Sequence, residues 1–189
     1  IGNDYRWPRD AHWTARAMID RCGGTVAGEI LLPLGTEDFE DAIDAIAAAE
    51  PDVVVAALVG SDAVIFHRAF ARAGLSETAW RLGLLTEENT LLGVGAECSD
   101  RLLTVAGYFA SLETPENRAF VDRYIARFGP QAPALNSIGQ SAYEGLIFLE
   151  EIARRAGSLA TDDVARVSDG LVFHGPRGTT RMVHRHVVK

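Results

Sequence analysis

The sequence predicts an α/β fold with a doubly wound, mostly parallel sheet, and three observations lead to this prediction. Residues 52–59 form a continuous apolar run between Pro51 and Gly60, which is typical of a strand buried on both faces of a parallel sheet. Segments with apolar residues at helical spacing alternate with such runs through the first half of the chain. Each strand with its helix takes roughly 25–30 residues, as right-handed crossovers between parallel strands require.

The alternation begins with the end of a strand at residues 1–3, which turns directly into a helix over residues 8–22. The helix over residues 38–49 has Phe39, Ile43, Ile46 and Ala47 on one face. The remaining elements of the first half are predicted as strands at 25–32, 52–59, 80–85 and 102–109, and helices at 61–73 and 87–92.

Residues with strong cap preferences indicate where these helices begin and end. Pro8 suits the first position of the first helix, and the pair Gly23 and Gly24 suits its C-terminal cap. Ser61 or Asp62 is the predicted N-cap of the helix over residues 61–73.

The second half of the chain is predicted to be mostly helical. Helices are expected over 115–128, over 137–156 and over 161–168, the last with a cap at Thr161 and Asp162. Residues 171–189 contain two strand-like runs with a turn at 175–178. No parallel strand follows the last two helices, so we expect them to cover a sheet outside this sequence.

Composition excludes several classes of function. The net charge of −8 argues against nucleic acid as a direct partner, because phosphate binding needs a basic patch. No apolar run has membrane-spanning length. Cys22 and Cys98 are expected to be buried or half-buried thiols rather than a disulfide. Residue 1 resembles the end of a strand rather than a leader, so we expect the chain to be a fragment of a longer protein.

The sequence contains no catalytic, cofactor or metal signature. The stretch Gly60-Ser61-Asp62 lacks the second glycine of a nucleophile elbow, and no glycine pattern matches a phosphate or dinucleotide fingerprint. His184 and His186 would share one face of a strand, but no carboxylate or cysteine accompanies them at ligand spacing. We therefore expect no enzyme, cofactor or metal site, and an α/β enzyme whose site lies outside this sequence is kept as an alternative.

Polar and aromatic side chains follow several predicted parallel strands, and the carboxyl ends of such strands meet at one edge of a sheet. Side chains gathered there suit a small polar ligand, uncharged or zwitterionic, held by stacking and hydrogen bonds. The alternative for Ser61, Thr86 and Glu88 is helix capping. The candidate ligand-binding residues are Tyr5, Trp7, Ser61, Thr86, Glu88 and Tyr108.

Residues 3–10, Asn-Asp-Tyr-Arg-Trp-Pro-Arg-Asp, resemble a motif of the type I periplasmic binding proteins of the leucine/isoleucine/valine-binding kind. The amide- and urea-binding branch, which includes an amide sensor, is the most similar. Generic similarity continues along the whole chain, at 23–29 with 33–35, at 108–115, at 141–144, at 175–178 and at 186–189. It covers about the second half of a family member.

The resemblance implies a two-lobed protein that closes on its ligand without catalysis. Tyr5 and Trp7 would face the ligand, and Trp7 would narrow the pocket relative to a tyrosine. Glu88 matches an acid of the family and Tyr108 a tyrosine near the hinge, whereas Thr90 stands where a second acid is often found.

The resemblance also implies a domain organisation. Residues 1–113 would form the core of the second lobe, residues 114–170 would pack on the missing first lobe, and residues 171–189 would return near the hinge. Uncovered apolar surface would then favour association with another chain, a second copy included, or an unusual packing of the helices over 137–168.

Two settings are compatible with the resemblance. In a transporter, the protein would be periplasmic or extracellular and lipid-anchored, and its partner would be a membrane permease. In an intracellular amide-sensing transcription regulator, it would be cytoplasmic and its partner a regulatory protein.

Overall fold

The computed structural model describes residues 1–183 and the backbone of residues 186–188. The chain divides into two compact units, Ile1–Ala106 and Gly107–Lys189. This division falls before the predicted lobe boundary at residue 113, and the assignment of residues to lobes stays a prediction.

The helices and strands follow the predicted order. The helices are α1 (Arg6–Arg21), α2 (Glu40–Ala49), α3 (Gly60–Arg72), α4 (Glu88–Val94), α5 (Pro115–Phe128), α6 (Ser137–Ala156) and α7 (Thr161–Ser168). The strands are β1 (Gly2–Asn3), β2 (Leu31–Leu32), β3 (Val53–Ala56), β4 (Trp80–Leu84), β5 (Leu102–Val105), β6 (Val172–Gly175), β7 (Gly178–Val183) and β8 (His186–Val188). Short 3₁₀ turns lie at Leu75–Glu77 and Ala96–Cys98.

The first unit contains the predicted parallel sheet. β1 pairs with β2 in parallel, and β3, β4 and β5 form a parallel ladder. A parallel bridge between Gly2 and Ala57 joins the two ladders, so the strand order is β2-β1-β3-β4-β5. The predicted α/β fold with a parallel sheet is therefore confirmed.

The strands are shorter than predicted, and β3 is not buried on both faces. Val54 and Ala56 are buried, whereas Val53 is 50% exposed. The expectation of burial on both faces was wrong because the described residues cover the face that carries Val54 and Ala56 but leave Val53, on the opposite face, half exposed.

That core lies between one face of the sheet and the apolar faces of α2 and α3. Ala47 of α2 is exposed, in contrast to the predicted apolar face. The buried core residues of these elements are Phe39, Ala42, Ile43, Ile46, Val54, Ala56, Leu58, Ala63, Phe66, Phe70 and Ala79.

The start of α1 differs from the prediction. Tyr5 is its N-cap, so Pro8 occupies the third helical position instead of the first. Proline is tolerated there because the first turn has no intrahelical acceptors for its N–H groups. The predicted C-terminal cap is confirmed, with Gly23 at φ 76° and the Gly24 N–H donating to the Ile19 carbonyl at 3.0 Å.

The predicted N-caps of α3 and α7 are wrong, and so is the alternative in which Thr86 caps α4. Val59 caps α3, Glu87 caps α4 and Ala160 caps α7, none through a side-chain hydrogen bond. Ser61 and Asp62 instead lie within α3, where the Asp62 carboxylate accepts hydrogen bonds from other parts of the chain.

The second unit contains α5, α6, α7 and an antiparallel sheet in the order β6-β7-β8. The predicted turn between β6 and β7 is confirmed, as are the bounds of α5, α6 and α7. Thr114 caps α5 by accepting from the Asn117 N–H at 3.2 Å. Phe148, Ile152 and Leu171 form a separate core cluster.

Both cysteines are free thiols. Cys98 is buried as expected, but Cys22 is exposed, because it ends a helix in which Pro8 is the one buried residue. Within the described residues, no helix combines the length and apolar character needed to span a membrane.

Candidate functional site

The carboxyl edge of the parallel sheet carries four of the predicted ligand-binding residues. Tyr5 and Trp7 follow β1, Ser61 follows β3 and Glu88 follows β4. These strands are neighbours and run in the same direction. Their exits therefore lie side by side along one edge of the first unit, the edge where ligands bind in open α/β sheets.

Tyr5 and Trp7 form an aromatic pair at the exit of β1. Tyr5 is 39% exposed, Trp7 is half-buried, and their ring centroids lie 6.3 Å apart with an interplanar angle of 34°. The neighbouring guanidinium groups are occupied, since Arg6 pairs with Asp10 and Arg9 pairs with Asp4. The exit of β1 therefore offers aromatic surface to a ligand more readily than it offers positive charge.

Ser61 lies in the first turn of α3, at the exit of β3. Its side chain is exposed, and its hydroxyl is 3.3 Å from Oδ1 of Asp62. The first N–H groups of a helix have no acceptor within the helix. The exit of β3 can therefore donate hydrogen bonds to a polar ligand.

The exit of β4 contains a strained residue. Leu85 has φ 59°, which is uncommon for a side chain of this size, and its N–H donates to the Val105 carbonyl at 2.9 Å. Such strain is concentrated at functional sites. Glu88, the first residue of α4, is half-buried beyond this turn.

Thr86 is turned inward at the same exit. It is 1% exposed, its hydroxyl has no partner among the described residues, and its carbonyl accepts from the Thr104 hydroxyl. Its side chain lies over Gly83, where an added Cβ would stand 2.8 Å from the Thr86 Cβ. Thr86 therefore belongs to the chain segment that forms this exit, but its side chain does not reach the protein surface. Its role in ligand binding stays a prediction.

Tyr108 belongs to the second unit and is 1% exposed. Its hydroxyl donates to Oδ1 of Asn117 at 2.6 Å, and its N–H donates to the Ser137 hydroxyl at 3.1 Å. Asn117 also donates to the carbonyls of Ala110 and Leu112. These bonds hold Tyr108 inside the unit, and its predicted role near the hinge stays untested.

Sequence reasoning missed two polar residues at this edge, Asn3 and Asp62, which are 0% and 2% exposed. The available signal is a polar side chain at or within a few residues of the end of a strand. A second missed pair, His67 of α3 and Arg81 of β4, is fully buried. Burial, and then the charge of Arg81, lowers the pKa of His67 to about 3, so this imidazole is neutral near pH 7.

No group of three or more histidine, cysteine or acidic side chains within the described residues could hold a metal ion. The possible pair of His184 and His186 lies outside the described side chains. Two surface grooves, of about 390 Å³ at α6 and about 620 Å³ between α2 and α3, contain none of the predicted ligand-binding residues.

A family model described as "Periplasmic binding protein" matches residues 1–188. The chain belongs to this family. The resemblance to the leucine/isoleucine/valine-binding kind is supported by a curated relative, the Leu/Ile/Val-binding protein homolog 6 of Brucella suis. It is 29% identical over 184 residues, which cover 94% of this chain and 46% of the relative.

Solved structures of periplasmic binding proteins share the fold. An amino acid ABC transporter substrate-binding protein from Pseudomonas fluorescens has a TM-score of 0.85 at 22% identity, covering 100% of this chain and 51% of the other. A solute binding protein of an ABC transporter from Rhodopseudomonas palustris, in complex with p-hydroxybenzoic acid, has a TM-score of 0.84 at 22% identity, covering 98% and 52%. The chain thus spans about half the length of the relatives it matches.

Proposed function

We propose that this chain is part of an ABC-transporter solute-binding protein, and that the carboxyl edge of its first unit contacts the ligand. The observation that carries the proposal is the convergence of Tyr5, Ser61 and Glu88 on one edge through the parallel order of β1, β3 and β4. Membership of the periplasmic binding protein family supports it. The strained turn at Leu85 supports it as well.

The ligand is a small polar molecule, in the first place an amide, urea or an amino acid. Tyr5 and Trp7 offer stacking surface, Ser61 and the first turn of α3 donate, and Glu88 accepts. These groups also suit an aromatic carboxylate as ligand, since the structure of a similar protein was solved in complex with p-hydroxybenzoic acid. Ligand contacts by Thr86 and Tyr108 have less support, because both residues are buried.

The protein binds without catalysis, closing two lobes around the ligand by a hinge motion that the ligand stabilises. Its setting is periplasmic and its partner a membrane permease, as the family membership supports. The alternative setting, a cytoplasmic regulator, has no observation in its favour in the described residues.

The first experiment is calorimetric titration of the full-length protein with acetamide, urea, leucine and 4-hydroxybenzoate. We expect heat of binding from at least one of these compounds. A folded protein that binds none of them would contradict the proposed ligand classes.

The second experiment asks whether the edge is the site. Trp7→Ala should weaken binding at least tenfold, because an aromatic side chain buried against a ligand contributes about 1.5 kcal/mol or more. Trp13→Ala is the matched control, since Trp13 lies on the same helix and is 75% exposed. Equal affinities of the two variants would place the ligand elsewhere.

A further inference from the structure

Asp62 receives hydrogen bonds from two segments that are distant from it in sequence, the end of β1 and the loop after β2. The Asn3 side chain donates from Nδ2 to Oδ2 of Asp62 at 2.6 Å, and the Gly35 N–H donates to the same oxygen at 2.9 Å. Asn3 ends β1, Gly35 follows β2, and Asp62 lies in the first turn of α3 after β3. One carboxylate oxygen therefore links the exits of three neighbouring strands.

Asn3 completes the connection with its other amide atom. Its Oδ1 accepts from the Val59 N–H at 3.0 Å, in the loop between β3 and α3. Asn3 and Asp62 are both buried, so water does not compete for these bonds. The three loops are thus held by a closed set of hydrogen bonds whose members are up to 59 residues apart.

The two ligand-binding candidates next to this set are attached to it through the backbone. The Tyr5 N–H donates to the Asn3 carbonyl at 2.9 Å, and Ser61 directly precedes Asp62. Any shift of Asn3 relative to Asp62 would therefore change the separation between Tyr5 and Ser61. Affinity depends steeply on such separations, because binding groups must be held close to their productive geometry.

We propose that Asp62 is a positioning residue of the ligand-binding edge, which fixes Tyr5 and Ser61 relative to each other by holding the exits of β1, β2 and β3 together. The inference rests on the proposed function of this edge. Asp62 itself is buried and its Oδ2 is fully used, so it acts on the ligand through these loops.

The geometry also separates the acceptor role of Asp62 from its charge. Both inter-loop bonds end on Oδ2, while among the described residues Oδ1 has one hydrogen-bond partner, the Ser61 hydroxyl at 3.3 Å. An asparagine can place its carbonyl oxygen where Oδ2 lies and direct its NH₂ at the Ser61 hydroxyl, which can accept. Asp62→Asn should keep the connection, and Asp62→Ala should remove it.

Amide hydrogen exchange tests the coupling of the loops without any ligand. In the full-length protein carrying Asp62→Ala, the Gly35 and Val59 amides should both exchange at least about tenfold faster. Val59 is decisive, because its acceptor is Asn3 and not Asp62. Asp62→Asn should stay within about twofold of the wild type. If Gly35 accelerates and Val59 does not, the loops are not coupled through Asp62 and the proposal fails.

Ligand affinity tests the positioning itself, under conditions where circular dichroism shows every variant to be folded. For whichever of acetamide, urea, leucine or 4-hydroxybenzoate the wild type binds, Asp62→Ala should weaken binding about tenfold or more and Asp62→Asn should restore it. Asp38→Ala is the control, because it removes a carboxylate bond to a backbone N–H that stays local to α2.

The outcomes distinguish this inference from the proposed function. Wild-type binding that Asp62→Ala leaves unchanged would overturn the positioning role and leave the ligand site standing. Failure of the wild type to bind any of the four compounds would overturn the proposed ligand classes, and the exchange of Val59 would then decide whether Asp62 couples the loops.

Discussion

At the scale of single residues, the buried polar side chains of the first unit differ in how well they are satisfied. Arg81 is 0% exposed and donates to the carbonyls of His67, Cys98 and Asp100 and to the Ser76 hydroxyl. Its guanidinium also lies over the Phe70 ring, with 4.8 Å between Cζ and the centroid. The positive charge is therefore held by carbonyl dipoles and an aromatic face.

His67 lies beside Arg81 without such compensation. Neither ring nitrogen has a hydrogen-bond partner among the described residues, and burial is the main cause of its low pKa of about 3. Below pH 6.5 the unfolded chain binds a proton at this residue that the folded chain does not bind. The contribution of His67 to stability therefore falls as the pH drops from 6.5 towards 3.

We expect His67→Leu to stabilise the protein at pH 7, because it replaces two unsatisfied buried nitrogens by apolar atoms. The free energy of unfolding of the variant should exceed that of the wild type by about 1 kcal/mol at pH 7. This difference should grow by about 1.4 kcal/mol per pH unit as the pH falls from 6 to 4. Urea unfolding of variant and wild type at several pH values measures both quantities.

His174 provides the control for this prediction. Its ring is exposed and bonds to the Thr179 hydroxyl at 3.0 Å, so His174→Leu should change stability little. A pH-independent difference between His67→Leu and the wild type would show that the folded protein accepts the proton at His67.

At the scale of elements, the turn after β4 shows how a glycine shapes the site. The Thr86 side chain occupies the space above Gly83, and the His67 Nε2 would be 3.5 Å from a Cβ there. This close approach lets the chain reverse through Leu85 and present Glu88 at the edge of the sheet. A larger residue at position 83 would displace the whole turn.

We expect Gly83→Ala to destabilise the protein by about 1–3 kcal/mol through overpacking, and to weaken ligand binding through the displaced turn. Gly145→Ala is the opposite case, because an added Cβ in the middle of α6 meets nothing within 4 Å and should stabilise by about 0.5–1 kcal/mol. Urea unfolding of both variants measures the two changes in the free energy of unfolding. Equal changes would mean that the Thr86 side chain moves aside freely when a Cβ is added at position 83.

Helices were predicted more accurately than strands, for a physical reason. The bounds of α5 and α6 depend on caps and on residues within one or two turns, and Thr114, Asn136 and Gly157 supply those caps. A strand exists only where a partner strand supplies hydrogen bonds. The predicted strand at 25–32 accordingly contracts to Leu31–Leu32, the part opposite Gly2 and Asn3.

At the scale of the whole molecule, each unit exposes an apolar face. In the first unit, Leu103 and Val105 of the edge strand β5 are 55% and 56% exposed, and Val53 and Trp80 are exposed on β3 and β4. In the second unit, α6 exposes a stripe that contains Ile138, Leu146 and Leu149. The other residues of this stripe, at helical spacing, are Ala142 and Gly145.

Contiguous apolar surface of this kind marks interaction sites or causes association. We expect the 189-residue chain by itself to associate, with a mass in solution scattering above its 20.4 kDa. Introducing opposite charges with Leu146→Glu and Leu149→Lys should reduce this mass. A monodisperse monomer of the unchanged chain would contradict the expectation.

By itself, the sequence determined the alternation of helices and strands, the parallel direction of the sheet and the placement of Tyr5, Ser61 and Glu88 at strand exits. These features follow from apolar periodicity, from caps and from the handedness of crossovers, which all act over short stretches of chain. The tertiary structure alone decided that Thr86 and Tyr108 turn inward, that Arg81 is buried, and that Asn3 meets Asp62. Those outcomes depend on which hydrogen-bond donors and acceptors come together from distant segments of the chain. No local sequence pattern predicts these contacts.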